Sequence, residues 1–362
     1  METNYRKWFK KYNKHISSPV SQKLSENLLA RGHPKYMWGM SNRQEYKQLK
    51  IVKEKNLLIL ASMAGQAIKM FSLDSFDPAQ TQPQMGIHPI FEKRYDQKVV
   101  EIETSPDNKY VFFTLTDFGK SGLKDKLVCI NLCTFKTVFE IETKGKWSKA
   151  IAYHPDKLLA VSNWHSNDVT IIDIRNVKKA KVTQVIPCGT SPRGIAFNKS
   201  GSSGIIAGYY SRNLTFLKYN KVDRKFYIEK ITEPFDFPNY SGNMRHVVFD
   251  DFHNQAFVSN MGRNLVHKIN LQTQDIVESY PVATFPNTIK LSEDNKYLAV
   301  SCRESDMVCI LNVLNGKMET LVDTGPQPTG LDFIKANQPK TYDIYVTNFA
   351  DDSVFCKRVT LA

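Results

Sequence analysis

The sequence is most informative at first for what it lacks. None of its 362 residues falls in a run of eighteen consecutive apolar residues, so no membrane-spanning helix is expected. The first 25 residues contain no apolar core of the kind a conventional secretory leader requires. Cysteine is scarce: Cys129, Cys133, Cys188, Cys302, Cys309 and Cys356 include no CxxC pair, and no histidine stands near one at zinc-ligand spacing. Most lie in apolar, strand-like runs, where a thiol behaves as a small hydrophobe. Reduced, buried cysteines without a leader suggest a cytoplasmic protein. Glycine-rich phosphate loops, EF-hand ligand runs and a G-x-S-x-G elbow are also missing, so no cofactor and no metal is expected. From residue 48 onward helical periodicity is absent, which excludes helical solenoids.

What is present is enough apolar material for a large core, 41% hydrophobic with 11% aromatic residues. The formal charge of +13 is unevenly spread. Residues 1–50 carry eleven Lys and Arg against three Glu, or +8, and the remainder carries only +5. A uniformly basic nucleic-acid-binding body is therefore not described, and no specific nucleic-acid partner is expected.

A repeat organises the chain. Segments beginning near Gln48, Val99, Ser148, Pro192, Met244, Pro286 and Pro328 superpose, with steps of 42 to 52 residues. Each copy reads as a short alternating strand (Ile195, Phe197), a polar turn and a second apolar strand (Leu298 to Ser301). A third strand (Val308 to Val313) and a fourth (Val182 to Ile186) complete the unit. Four short strands per period, separated by turn signals, describe a propeller blade. From residue 48 onward the Trp-Asp and Gly-His marks of WD40 blades and the Gly-Gly pairs of kelch blades do not occur. The seventh copy stops after its third strand, and Lys35–Met40 (KYMWGM) is apolar enough to supply the missing one. Such a closing strand would remove the exposed edges of an open array. The expected fold is all-β, a seven-bladed β-propeller of four-stranded blades over residues 34–362, with a short N-terminal helical extension over residues 1–33.

Tyr345-Val346-Thr347-Asn348, with the Pro-x-Gly lead-ins at Pro192 and Pro328, resembles the YVTN family of seven-bladed propellers. That resemblance implies the fold and leaves function open, since the family spans enzymes, binding modules and surface proteins. In the fifth copy, Ser241-Gly242-Asn243-Met244-Arg245-His246 resembles the Gly-x-Gly-Pro-Arg-His lead-in of the propeller lactonases, the 6-phosphogluconolactonase and muconate-lactonizing group. Ser301-Cys302-Arg303 stands where that group has Ser-Asn-Arg. The resemblance implies that Arg245 and Arg303 match its two substrate-binding arginines. Met261 occupies the place of its acidic catalytic residue, and Arg193 the place of its catalytic histidine.

In a blade, the connection into the first strand and the turn between the second and third strands open on one face. This places Trp147, Lys149, Arg193, Arg245, His246, Asn287 and Thr329 in one set of loops. Trp164, His165, Tyr209, Tyr210, Arg212, Met261, Arg263, Arg303, Glu304, Phe349 and Asp351 fall in the other. Five arginines and Lys149 meet only Glu304 and Asp351. Guanidinium forks bind carboxylate and phosphate bidentately, so an anionic small molecule is the expected ligand. Arg193, Arg245, Arg303, Arg212, Arg263 and Lys149 are candidate anion-binding groups, and Trp147, Trp164 and Tyr210 can stack on a ring. His246 and His165 are the candidate acid–base groups, because histidine titrates near neutrality.

In residues 4–16, Tyr5, Trp8, Phe9, Tyr12 and Ile16 fall on one helical face, with Arg6, Lys7, Lys10, Lys11 and Lys14 on the other. Ser18 and Pro19 suit an N-cap and N1 pair ahead of a Val20, Leu24, Leu28 stripe. Such an arm either docks on the propeller or grips a protein or anionic membrane-surface partner. Two readings of function follow. One is a propeller binding an anionic small molecule, with a possible divergent lactonase-like hydrolase, lyase or isomerase activity. The other is a non-catalytic scaffold using the rim and the basic arm.

Overall fold

The computed structural model describes residues 44–79, 87–120, 122–234 and 242–361. Among them, seven antiparallel sheets follow one another along the chain, at residues 46–94, 98–142, 148–187, 192–231, 244–281, 286–323 and 328–360. Each is a simple meander, and the first six have four strands. Their innermost strands stand side by side in a ring, the first (Tyr46–Val52) against the seventh (Pro328–Lys335). The molecule is a seven-bladed β-propeller. The strand readings in the repeats agree with it: the sixth blade has Tyr297–Cys302 and Met307–Asn312, and the third ends on Lys181–Pro187.

The core is divided into seven apolar clusters, one in each seam between neighbouring blades. This follows from the period of two along a strand buried on both faces. In the sixth blade, Leu298 and Val300 pack toward the fifth, while Tyr297 and Ala299 pack toward the seventh. The ring closes on a seam of its own, with Leu49, Leu58 and Leu60 against Ile334 and Tyr345. Each such side chain contributes about 1.5–3 kcal/mol when fully buried.

Near the axis every inner strand carries a β-bulge, in which two residues oppose one on the second strand. The pairs are Lys47-Gln48, Val100-Glu101, Lys149-Ala150, Arg193-Gly194, Arg245-His246, Asn287-Thr288 and Thr329-Gly330. A bulge interrupts the ladder and leaves a backbone N–H in need of a partner. In five blades a second-strand hydroxyl accepts it: Thr114 from Glu101, Ser162 from Ala150, Ser259 from His246, Ser301 from Thr288 and Thr347 from Gly330, at 2.8–3.2 Å. Four of these hydroxyls then donate to a bulge carbonyl of the next blade. Thr114 bonds Lys149, Ser162 bonds Arg193, Ser259 bonds Asn287 and Ser301 bonds Thr329.

The fourth blade has Ala207 in place of the hydroxyl and meets the fifth through a glycine. A Cβ on Gly194 would lie 2.6 Å from the Arg245 carbonyl oxygen. Gly330 makes the same approach to blade one, 2.7 Å from the Gln48 Cα. These are the two glycines of the Pro-x-Gly lead-ins.

A second repeated device fixes the loop face. The residue entering the inner strand has positive φ at Ser191, Phe285 and Gln327, and Glu45 enters the first blade in the same way. Its N–H is held by an Asn or Asp from the preceding blade: Asn167, Asn264, Asp306 and Asp352 respectively, at 2.6–3.0 Å. These braces are themselves left-handed, a conformation Asn and Asp tolerate better than most residues.

The expected helical arm (residues 1–33) and the closing strand at Lys35–Met40 lie outside the described residues; among the described residues the seventh sheet has three strands. All six cysteines are free thiols; Cys129, Cys302 and Cys309 are buried as expected, whereas Cys133 sits exposed in a turn. No helix among the described residues is long and apolar enough to cross a membrane.

Replacing Ser162 by Ala strips a partner from both the Ala150 N–H and the Arg193 carbonyl. A loss of about 1–3 kcal/mol is expected, read as a lower midpoint in chemical denaturation. Ser200→Ala, in an exposed turn, should cost less than about 0.5 kcal/mol.

Candidate functional site

The bulges aim side chains at the axis. The well on the loop face is lined by Lys47, Glu101, Arg193, Arg245, His246, Asn287 and Thr288, and every one of them is a bulge residue. At its floor there is room for little more than one water-sized group. Arg193 and Glu101, both buried, form an ion pair across the axis through Nη2 and Oε1. Arg245 donates from Nε to Asn287 Oδ1. Asn287 Nδ2 and His246 Nδ1 are buried without a hydrogen-bond partner.

The cations crowd one another. Burial, followed by the charges of Arg245 and Arg193, holds the Lys47 amine well below the usual lysine range. Burial and then Arg193 draw Lys149 down to about 7. Arg245 falls to about 9, again from burial first and Arg193 second, and remains charged at neutral pH. Burial also pushes the Glu101 carboxyl upward, but Arg193, Lys47 and Arg245 together outweigh it and keep the group ionised. His246 is driven down to about 3, chiefly by burial, and is neutral.

Arg193, Arg245 and His246 are therefore brought together in the well. Lys149 stands beside the well, its Nζ 4.3 Å from the centre of the Phe118 ring and 5.9 Å from that of Trp147. Arg303 lies above, with its guanidinium 5.4 Å from the Phe349 ring and Nη2 bonded to Gln327 Oε1 at 2.9 Å. Trp147, Trp164, His165 and Tyr210 belong to the rim. His165 is exposed and lies 5.6 Å from Trp147, ring to ring.

Arg212 and Arg263 do not line the well. Arg212 occupies the left-handed turn position that other blades give to a bracing Asn or Asp. Arg263 lies one residue before such a brace, Asn264. Both stand between the second and third strands of their blades.

Sequence reasoning missed Lys47 and Glu101, and with them the fact that the negative charge at the centre is neither Glu304 nor Asp351. Aligning YKQLKI with PRGIAF would have set Lys47 opposite Arg193. Glu101 sits in the second bulge position, beside an apolar Val100, and meets a partner 92 residues away. No local pattern reports that pairing.

Glu101→Gln leaves Arg193 buried beside a neutral group. A loss of about 3–5 kcal/mol is expected, measured by chemical denaturation. Adding Arg193→Met to that variant should restore part of it.

A family described as YNCE-like beta-propeller matches residues 242–338, which include Arg245, His246, Asn287 and Arg303. Antigen Lp49 of Leptospira interrogans serogroup Icterohaemorrhagiae serovar copenhageni (strain Fiocruz L1-130) is 29% identical over 233 residues, 59% of this chain and 48% of that protein. The chain thus spans about half the length of the curated relative it matches. Among solved structures, Kuenenia stuttgartiensis Hydrazine Synthase superposes with a TM-score of 0.71 at 14% identity, covering 91% of this chain and 100% of that one. A functionally unknown protein from Desulfotomaculum acetoxidans DSM 771 gives 0.62 at 15%, covering 79% and 87%. At these identities the likeness is one of fold. The chain is a seven-bladed propeller similar over its fifth to seventh blades to the YNCE-like family.

Proposed function

We propose that the loop face binds a small anionic molecule, with its charged group seated in the axial well. The observation that carries this reading is the composition of the well. Lys47, Arg193 and Arg245 converge on one carboxylate, and Asn287 Nδ2 and His246 Nδ1 are left unpartnered. Like charges held together in a buried site raise the free energy of the empty state, and unpaired buried polar groups add to it. An anion relieves both. The resemblance to the propeller lactonases, in which Arg245 and Arg303 match substrate-binding arginines, supports the same chemistry.

Binding is favoured over catalysis. Glu101 is committed to Arg193, and His246 at about 3 is a weak base at neutral pH. Calorimetric titration with acetate and with inorganic phosphate tests the reading. At least one should bind the wild type, and Lys47→Met with Arg245→Met should lose about tenfold or more in affinity. Retention of full affinity in that double variant overturns the proposal. Removing residues 1–33 should leave anion binding intact, whereas the rival scaffold reading places a partner's grip in that arm.

The pH dependence has a defined sign. Lys149 is charged below about pH 7 and neutral above it, so it adds to anion attraction only on the acid side. Affinity should therefore fall as pH rises through 7. In Lys149→Met the fall should be shallower, as read from dissociation constants between about pH 6 and pH 9.

A further inference from the structure

The mouth above the well is asymmetric. On the side of blades two to four it is walled by rings: Phe118 lies 5.2 Å from Trp147, and Trp147 5.6 Å from His165. Trp164 lies 4.7 Å from Tyr209 and 5.4 Å from Tyr210, and the two tyrosines are 5.0 Å apart. Tyr210 is 58% exposed and Trp164 half-buried. The Tyr209 hydroxyl reaches the sulfur of Met261 in blade five at 3.5 Å, and the charges of Arg245, Arg193 and Arg303 act on it. The opposite side, at blades six and seven, presents Arg303, Gln327 and Phe349. Clustered rings with exposed faces beside a concave charged site are a binding surface for something flat.

The floor restricts the other end of that molecule. Its free space takes little more than one water-sized group, enough for one oxygen of an acid group. The donors around it are the Lys47 amine, the guanidinium nitrogens of Arg245 other than Nε, and the unpartnered Asn287 Nδ2. Three donors from three blades suit the two oxygens of a planar carboxylate.

Resting on the anion reading above, we infer that the ligand is an arene carboxylate, head down between Lys47, Arg245 and Asn287, with its ring against the Trp164–Tyr209 wall. Such a ligand uses both halves of the asymmetric mouth. A bare small anion uses only the floor.

The test is a calorimetric panel of benzoate, cyclohexanecarboxylate, acetate and inorganic phosphate on the full chain. Benzoate should bind about tenfold or more tighter than acetate, and tighter than cyclohexanecarboxylate, which has a ring of similar size without a flat face. Trp164→Leu and Tyr209→Leu should bring benzoate close to acetate while leaving acetate affinity unchanged, which also shows that the variants are folded. Acetate binding with no benzoate preference, phosphate binding tightest, or a preference that survives both variants would overturn this inference alone. Failure of all four anions to bind overturns the anion reading and this one with it.

Discussion

A buried bulge is costly unless its orphaned backbone groups find partners, and in this propeller one hydroxyl satisfies two of them. Thr114, Ser162, Ser259 and Ser301 each accept the N–H of their own blade's bulge and donate to the next blade's bulge carbonyl. The same atoms therefore complete a blade, join it to its neighbour and fix the backbone of a residue facing the axis. Apolar seams hold the blades together, but they are not directional. The hydroxyls set register where the side chains of Lys149, Arg193 and Asn287 begin.

That rigidity explains how the well keeps several cations in one place. On a mobile loop, mutually repelling amines and guanidiniums would turn outward to water. On pinned bulges they stay, and the cost appears as lowered proton affinity at Lys47, Lys149 and Arg245. The Glu101–Arg193 pair relieves part of the repulsion across the axis, linking blade two to blade four. The site is held under electrostatic load by a scaffold stiff enough to bear it.

The architecture was legible in the sequence because propeller strands are short, apolar and separated by turns with marked chemistry. Even the Tyr345-Val346-Thr347-Asn348 string acquires a physical meaning. Tyr345 fills the seam to blade one, Val346 the seam to blade six, Thr347 caps the bulge, and Asn348 bonds Ser353 across the turn at 2.8 Å. The site was only half legible. Arg193 and Arg245 directly follow the anchors Pro192 and Met244, with His246 next, so the repeat itself aligns them. Lys47 stands one residue ahead of a weakly marked anchor. Arg212 and Arg263 lie outside the lining of the well, and charge on a turn reads the same whether or not it faces the axis. Pairings across the ring, such as Glu101 with Arg193, have no one-dimensional signature.

The bulge separates two jobs that most folds combine in one residue. Its backbone belongs to the scaffold, whereas the side chain at its first position is apolar only at Val100, which is buried. Around the axis this position reads Lys, Val, Lys, Arg, Arg, Asn and Thr. It works as a seven-letter address written on an unchanging ring. Except at Thr329, whose own hydroxyl bonds the Tyr46 carbonyl and the Thr347 hydroxyl, substituting one letter alters charge, reach or hydrogen bonding at the axis and leaves the relay hydroxyls in place. A chain built this way can change the chemistry of its axis one residue at a time on the same backbone.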